Sequence, residues 1–191
     1  MTSVKNEQMP YWYVMSAVYG REMRVKKLFD DANVRSFVPM HYCIKEDRQG
    51  HKQRELVPAV RNWVFVYSTK SYLEEFKDKV LRQNKIPLYF LTRKHDERNV
   101  IVTIPDNQMD DFMNVATKVE EDIMYLRPEE VSLSKGDRVR IIGGAFDGLE
   151  GILTKVKGKR SKRVVVNIPD LLCVAASCIT PDLIQIISKG E

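Results

Sequence analysis

The sequence predicts a mixed α+β fold in two domains, and three observations along its 191 residues support this prediction. Segments with strand and helix periodicity alternate up to residue 116. Residues 117–134 lose that periodicity and carry short charged runs. From residue 135 onward only short strands and clustered glycines follow. We therefore predict an N-terminal domain over residues 1–116, a linker over 117–134 and a small all-β domain over 135–191.

The predicted N-terminal domain has the element order β-α-β-β-α-β and then a third helix. Aromatic and β-branched residues predict strands over 11–18, 34–44, 56–67 and 87–91. The first helix has apolar residues at i, i+3, i+4 and i+7, and a capping box at residues 71–74 begins the second. Pro105 is expected to open the third helix. This order is that of ferredoxin-like domains.

The predicted C-terminal domain contains five short strands, over 138–142, 151–156, 163–168, 172–176 and 183–187. Glycines cluster at positions 143, 144, 148 and 151, and Asp147 with Gly148 predicts a tight turn. Five short strands in so few residues are typical of a small barrel.

Composition excludes several classes of function. The net charge of +5 and the pI near 9.0 favour a polyanionic partner only weakly. No apolar stretch is long enough to cross a membrane, and residues 1–10 lack the apolar core of a signal peptide. The three cysteines are an odd number without metal-ligand spacing, which is typical of reduced thiols. We expect a cytoplasmic monomer with no membrane partner.

No catalytic constellation is recognisable. The three histidines, His41, His51 and His95, fall in different elements and have no nucleophile or ligand partner at a known spacing. No phosphate-binding glycine loop precedes a helix. We expect a protein that is not an enzyme and uses no cofactor or metal.

Residues 135–153 carry a pattern of Gly-Asp-x-Val-Arg, then Gly-x-Phe, a short polar turn and a glycine that enters the next strand. This pattern resembles the KOW motif, which implies an SH3-like barrel. Residues 12–14, the strand end at 37–40, the aromatic run at 60–66 and Ile104-Pro105-Asp106 resemble the N-terminal domain of the NusG family. The two resemblances together cover nearly the whole chain.

The resemblance implies a bacterial transcription elongation factor that binds RNA polymerase. Asn62 and Phe65 resemble the residues of the specialised paralogue RfaH more than those of housekeeping NusG. The sequence as a whole resembles the antiterminators of polysaccharide operons in Bacteroides-like bacteria. Arg61 and Trp63 depart from the usual Pro and Tyr, and no RfaH-like polymerase gate contact is recognisable at residues 74–76. The alternatives are a general housekeeping NusG and a ribosome-associated RNA-binding KOW protein.

The resemblance also implies a contact with the clamp helices of the polymerase largest subunit. From the residues alone, an aromatic strand face is as often core as interface; the resemblance favours interface. Because side chains alternate along a strand, Trp63, Phe65 and Tyr67 share a face that we expect to be uncovered by helices. The predicted polymerase-binding residues are Tyr13, Ser16, Val60, Trp63 and Phe65.

Two groups of cations are candidate nucleic-acid contacts, although such residues often form only a solvated surface. Candidates for contact with the non-template DNA strand are Arg21, Arg24, Arg48, Lys52, Arg54 and Arg61. A second run without intervening acids is a candidate for RNA or ribosome contact: Lys157, Lys159, Arg160, Lys162 and Arg163. A ribosomal protein or a termination factor is an alternative partner for the KOW domain.

Overall fold

The computed structural model describes residues 9–118, 122–134, 136–157, 161–169, 171–176 and 181–190. Its fold is mixed α+β and divides into two compact units. Unit 1 comprises Met1–Val38 and Pro58–Asp106, and unit 2 comprises Pro39–Val57 and Asn107–Glu191. Each unit is a set of segments that pack together and is not one continuous stretch of sequence. The predicted domain boundaries, which divide the sequence into continuous stretches, stay a prediction.

The helices and strands of the described residues are, in chain order, β1 (Tyr11–Ala17), α1 (Glu22–Asp31), β2 (Ser36–Phe37), β3 (Met40–Glu46), β4 (Lys52–Pro58), β5 (Trp63–Ser68), α2 (Lys70–Asn84), β6 (Leu88–Phe90), β7 (Thr92–His95), β8 (Arg98–Ile101), β9 (Thr103–Ile104), α3 (Asp106–Ala116), β10 (Ile123–Leu126), β11 (Asp137–Ile141), β12 (Glu150–Lys155), β13 (Lys162–Ile168), β14 (Leu172–Ala176) and β15 (Ile184–Ser188). Two short 3-10 helices, Pro128–Glu130 and Pro181–Leu183, lie between strands of unit 2.

Unit 1 is built on an antiparallel sheet in the order β2-β5-β1-β6, with β9 also pairing with β1. The central strand β1 is almost fully buried because its residues are apolar or aromatic. A separate hairpin, β7 with β8, turns at Asp96, whose φ of 53° is left-handed. The ferredoxin-like assignment of this unit stays a prediction.

Helices α1 and α2 cover one face of the unit 1 sheet. Phe29 of α1 stacks on Phe76 of α2 with ring centroids 4.3 Å apart, which joins the two helices. Lys77 of α2 lies 5.8 Å from the ring of Phe90. Phe90 pairs with Met15 of β1, so both side chains lie on this covered face.

Two predicted strands are each broken into two. The strand predicted over 34–44 is interrupted after Phe37, where Pro39 cannot donate a backbone hydrogen bond. The strand predicted over 56–67 becomes β4 and β5, separated by a turn at residues 59–62. Asn62 takes a left-handed φ of 69° in this turn, a conformation that asparagine tolerates.

Helix α2 begins earlier than the predicted capping box. Thr69 is the N-cap, and its hydroxyl accepts a hydrogen bond from the backbone N–H of Tyr72 at 3.3 Å. Ser71, predicted as the cap, lies inside the helix. A threonine two residues upstream satisfies the same kind of orphan backbone donor.

The strands of unit 2 form a six-stranded sheet in the order β10-β14-β13-β12-β11-β15, and β3 pairs with β4 as a separate hairpin. In the described part of unit 2 the edge strands β10 and β15 do not pair, so the predicted closed barrel is replaced by an open sheet. Strand β10 comes from residues predicted as linker and adds to the edge of β14. One hydrophobic core cluster of unit 2 is formed by Leu126, Val131, Val156, Val165, Cys173 and Ala175.

None of the helices in the described residues combines the length and the apolar character needed to cross a membrane.

Candidate protein-binding and nucleic-acid-binding surfaces

The register of the unit 1 sheet defines its second face. Val14 lies opposite Phe65, and Ser16 lies opposite Trp63, so these side chains point to the same side. We call this side the aromatic face; its members on β1 and β5 are Trp12, Val14, Ser16, Trp63, Phe65 and Tyr67. Tyr13 lies opposite Val66 and therefore belongs to the helix-covered face. Our grouping of Tyr13 with Trp63 and Phe65 was wrong, because sequence does not reveal cross-strand register.

The middle of the aromatic face is buried. Phe65 and Val14 are 0 % exposed, and Trp12 is 1 % exposed. Phe37 lies beside Phe65, with ring centroids 6.5 Å apart. The expectation of an uncovered aromatic face is therefore wrong for Phe65, whose ring is part of the core.

One end of the aromatic face stays accessible. Ser16 of β1 pairs with Trp63 of β5 on one side and with Tyr89 of β6 on the other. We call these three residues the aromatic row. Trp63 and Ser16 are half-buried, and Tyr89 is 56 % exposed. The small serine lies between two large aromatic residues, a composition that suits an apolar or amphipathic partner.

The aromatic row keeps two of the five predicted polymerase-binding residues together. Ser16 and Trp63 are cross-strand neighbours. The ring of Phe65 packs edge-on against that of Trp63, with ring centroids 6.4 Å apart. Val60 is half-buried in the turn that precedes β5. Tyr89 is not among the predicted residues, although its position in the predicted strand 87–91 is a signal that could identify it.

Two of the predicted DNA-contact residues come together in unit 1 although they are far apart in sequence. Asn62 accepts a hydrogen bond from the backbone N–H of Gly20 at 2.8 Å, and its own carbonyl accepts one from Ala17 at 2.7 Å. Arg21 and Arg61 flank these two bonded turns. Arg24 is exposed one turn further along α1.

The remaining DNA-contact candidates lie on the β3–β4 hairpin of unit 2. Arg48 and Lys52 are exposed, and the guanidinium of Arg54 lies 3.7 Å from the ring centroid of Tyr42. Tyr42 and Arg54 help to line a cleft of about 520 Å³. Lys45, in contrast, is paired with Glu55 at 2.6 Å, which raises the pKa of Lys45.

The turn of this hairpin is organised by one carboxylate. Asp47 accepts backbone hydrogen bonds from His51 at 2.9 Å and from Gln49 at 2.8 Å. These bonds hold the pKa of Asp47 below its ordinary value, with the His51 amide the largest cause. The hairpin therefore presents Arg48 from a turn whose backbone N–H groups are bonded to the Asp47 carboxylate.

The predicted RNA-contact run is divided by the structure. Lys157 and Lys162 are exposed, whereas Lys159 and Arg160 lie outside the described residues. Arg163 is 5 % exposed, and its guanidinium donates to the carboxylate of Asp122 at 2.8 Å. The expected exposure of Arg163 was wrong, because a carboxylate 41 positions away in sequence holds it against the sheet.

The described residues contain no group of three or more His, Cys, Asp or Glu side chains that could hold a metal ion. No curated protein matches the chain. The model of one family does match, that of NusG, described as transcription termination factor nusG, over residues 10–113. This match covers more than half of the chain and spans every strand of the unit 1 sheet. The chain belongs to the NusG family.

Proposed function

We propose that this protein is a transcription elongation and antitermination factor whose aromatic row binds the clamp helices of the largest subunit of RNA polymerase. NusG-family proteins are non-enzymatic transcription factors that bind RNA polymerase. The observation that carries the proposal is the aromatic row, with Tyr89 56 % exposed beside the half-buried Trp63. Both rings lie on the sheet face that α1 and α2 leave free.

The aromatic row has the composition of a binding hot spot. Trp and Tyr are enriched at such sites because they bury a large, rigid surface and keep one polar atom for hydrogen bonding. Phe65 is fully buried behind Trp63, so it fixes the position of the indole without exposing its own ring. A pair of helices from the polymerase would lie across the row, with Ser16 allowing close approach.

Binding in this way would suppress pausing and termination. A ligand shifts a conformational equilibrium only when it binds one state more tightly than the other. A factor that bridges the polymerase cleft from the clamp favours the closed clamp, and paused states need the clamp to relax. No chemical step is required of the protein.

We further propose that the protein acts at particular operons, such as those for polysaccharide biosynthesis, as a specialised paralogue similar to RfaH. Asn62 and Phe65 carry this resemblance. The exposed cations around the Gly20–Asn62 bond and on the β3–β4 hairpin support a contact with the non-template DNA strand. Genome-wide polymerase association confined to one operon would support this role. Uniform association would instead indicate a general housekeeping NusG.

The C-terminal strands are proposed to form a KOW domain that recruits a second partner. The exposed Lys157 and Lys162 favour RNA or ribosomal contact; a termination factor is the alternative. Tethering to polymerase would raise the local concentration of that partner without any new polymerase contact.

The experiment that tests the proposed function is an in vitro elongation assay on a paused template, with and without the full chain. We expect shorter pauses in its presence. A variant with Trp63→Ala should lose the effect, and Tyr72→Ala, which removes an exposed tyrosine of α2, should keep it. Unchanged pausing together with retention of the protein on ribosomes would contradict the proposal and favour a ribosome-associated KOW protein.

A further inference from the structure

Three turns of unit 1 meet at one end of its sheet. Asn62, from the turn before β5, binds the backbone N–H of Gly20, from the turn after β1, at 2.8 Å. Arg21 donates through Nη1 to the carbonyl of Lys85, just after α2, at 2.9 Å. We call this meeting point the three-turn cluster.

The backbone of the cluster is unusual. Tyr19, Asn62 and Lys85 have φ values of 66°, 69° and 56°, and they are three of the five non-glycine residues with left-handed backbone among the described residues. Lys85 is the C-cap of α2, a common place for this conformation, and asparagine tolerates it. Neither reason applies to Tyr19, because a bulky residue is a true outlier there.

Packing does not explain the conformation of Tyr19 either. Its side chain is 77 % exposed, more than any other large hydrophobic residue in the described part of the chain. Because the Tyr19 ring is exposed to solvent, it contributes little packing free energy that could offset the strain of its backbone. Strain of this kind is found mainly at binding sites, where the surrounding structure maintains it.

The cluster is strongly cationic. Arg24, Arg61 and Lys85 are exposed, and Arg21 is half-buried with its guanidinium carbon 5.8 Å from the centroid of the Tyr19 ring. Glu22, the acid next to Arg21 at the start of α1, is only 5 % exposed, so the exposed charged side chains here are cationic. An exposed ring beside Arg21, with three further cations on the connected turns and at the start of α1, matches a ligand that carries both phosphates and flat bases.

We infer that Tyr19 is a stacking platform for a base of a single-stranded nucleic acid, with Arg21, Arg24, Arg61 and Lys85 contacting the neighbouring phosphates. The inference deepens the DNA contact proposed above and rests on it for the identity of the strand. Duplex nucleic acid fits less well, because its bases are already stacked on one another. The Asn62–Gly20 hydrogen bond joins the turn that carries Tyr19 to the turn before β5 and so positions the Tyr19 backbone.

The test is fluorescence anisotropy of the full chain, without polymerase, with a labelled oligothymidylate of about 15 nucleotides at low salt. An oligouridylate of the same length distinguishes RNA from DNA as the source of the strand. A duplex of the same length and an inorganic polyphosphate separate stacking from charge alone. We expect the intact chain to bind a single strand more tightly than the duplex.

The informative variant is Tyr19→Asn, because asparagine accepts the left-handed backbone and only the ring is lost. We expect it to weaken single-strand binding by about fivefold or more, the lower range for loss of one stacked base. Tyr19→Phe should retain the affinity of the intact chain. Tyr72→Ala is the matched control, since Tyr72 lies at the opposite end of α2 from Lys85.

Several outcomes would overturn the inference. The first is that the intact chain does not bind a single strand. The second is that Tyr19→Asn binds the single strand as tightly as the intact chain does. The third is that Tyr19→Asn loses as much affinity for polyphosphate as for the single strand. A loss that also occurs in Tyr19→Phe would overturn it as well. Copurification with RNA polymerase should be unchanged in Tyr19→Asn. If the chain does not bind polymerase, the proposed function is contradicted. The single-strand binding test is not affected by that result, because it contains no polymerase.

Discussion

Phe65 and Trp63 are neighbours on one sheet face but have different roles. Phe65 is completely buried, whereas Trp63 is half-buried at the end of the strand. Loss of a buried phenylalanine ring removes apolar burial and leaves a cavity, which costs about 3–5 kcal/mol. We therefore predict that Phe65→Ala lowers the free energy of unfolding of unit 1 much more than Trp63→Ala does.

Urea unfolding of both variants, followed by circular dichroism, measures this difference. Val60→Ala, a half-buried residue in the adjoining turn, is a suitable control with a smaller expected effect. Equal destabilisation by Phe65→Ala and Trp63→Ala would mean that both rings are core. The aromatic row would then have no free indole to offer a partner.

Cys173 should be chemically inert in the folded protein. It is completely buried, and burial raises the pKa of its thiol to about 11. A raised pKa keeps the group as the unreactive neutral thiol at every pH below that value. Cys43, on the β3–β4 hairpin, is only half-buried and therefore more accessible to a reagent.

Labelling with iodoacetamide at pH 8, read by peptide mass spectrometry, tests this prediction. We expect Cys43 to be modified first and Cys173 only after unfolding. Modification of Cys173 at the rate of Cys43 under native conditions would show that the core of unit 2 opens readily.

At the scale of elements, the start of α2 depends on Thr69 and not on Ser71. The hydroxyl of Thr69 caps the helix, so Thr69→Ala should lower the free energy of unfolding by about 1 kcal/mol. Ser71→Ala should have almost no effect, because alanine is favoured inside a helix. Thermal unfolding of the two variants side by side measures the difference. A larger loss in Ser71→Ala would restore the capping box that the sequence alone suggested.

The pairing of β12 with β13 requires a glycine at position 151. A Cβ at this position would lie 2.7 Å from Cγ1 of Val164 and 2.8 Å from the carbonyl oxygen of Val165. Gly151→Ala must therefore displace a strand backbone, and we expect a loss of about 1–3 kcal/mol in the stability of unit 2.

The matched control is Gly148→Asn. Gly148 has a left-handed φ of 79° that asparagine tolerates, and a Cβ at this position would have no other atom within 4 Å. Urea unfolding should separate the two variants clearly. A Gly151→Ala protein as stable as the Gly148→Asn protein would mean that β12 and β13 are not as close as described.

Local sequence patterns predicted a helix or strand well wherever neighbouring residues alone determine it. Short apolar segments between turn residues located the five C-terminal strands from β11 to β15 to within one or two residues at each end. Long-range pairing was not readable in the same way. Neither the side of the sheet on which Tyr13 lies nor the burial of Arg163 against Asp122 follows from local sequence. Both depend on partners brought together by the fold.

At the scale of the whole molecule, unit 1 contains a stable sheet with one accessible aromatic end. Burial of Phe65 and Val14 fixes the sheet, and the aromatic row remains available for a partner. Family membership supplies the class of partner, RNA polymerase. The proposed function therefore requires that Trp63 contribute binding free energy to that complex.

The most direct test is the affinity of the full chain for core RNA polymerase, measured for the intact protein, Trp63→Ala and the control Tyr72→Ala. Loss of a central hot-spot residue should weaken binding by about tenfold or more. Tyr72→Ala should bind like the intact protein, and circular dichroism should show that both variants are folded. Undiminished affinity of a folded Trp63→Ala protein would contradict the central claim that the aromatic row binds the polymerase.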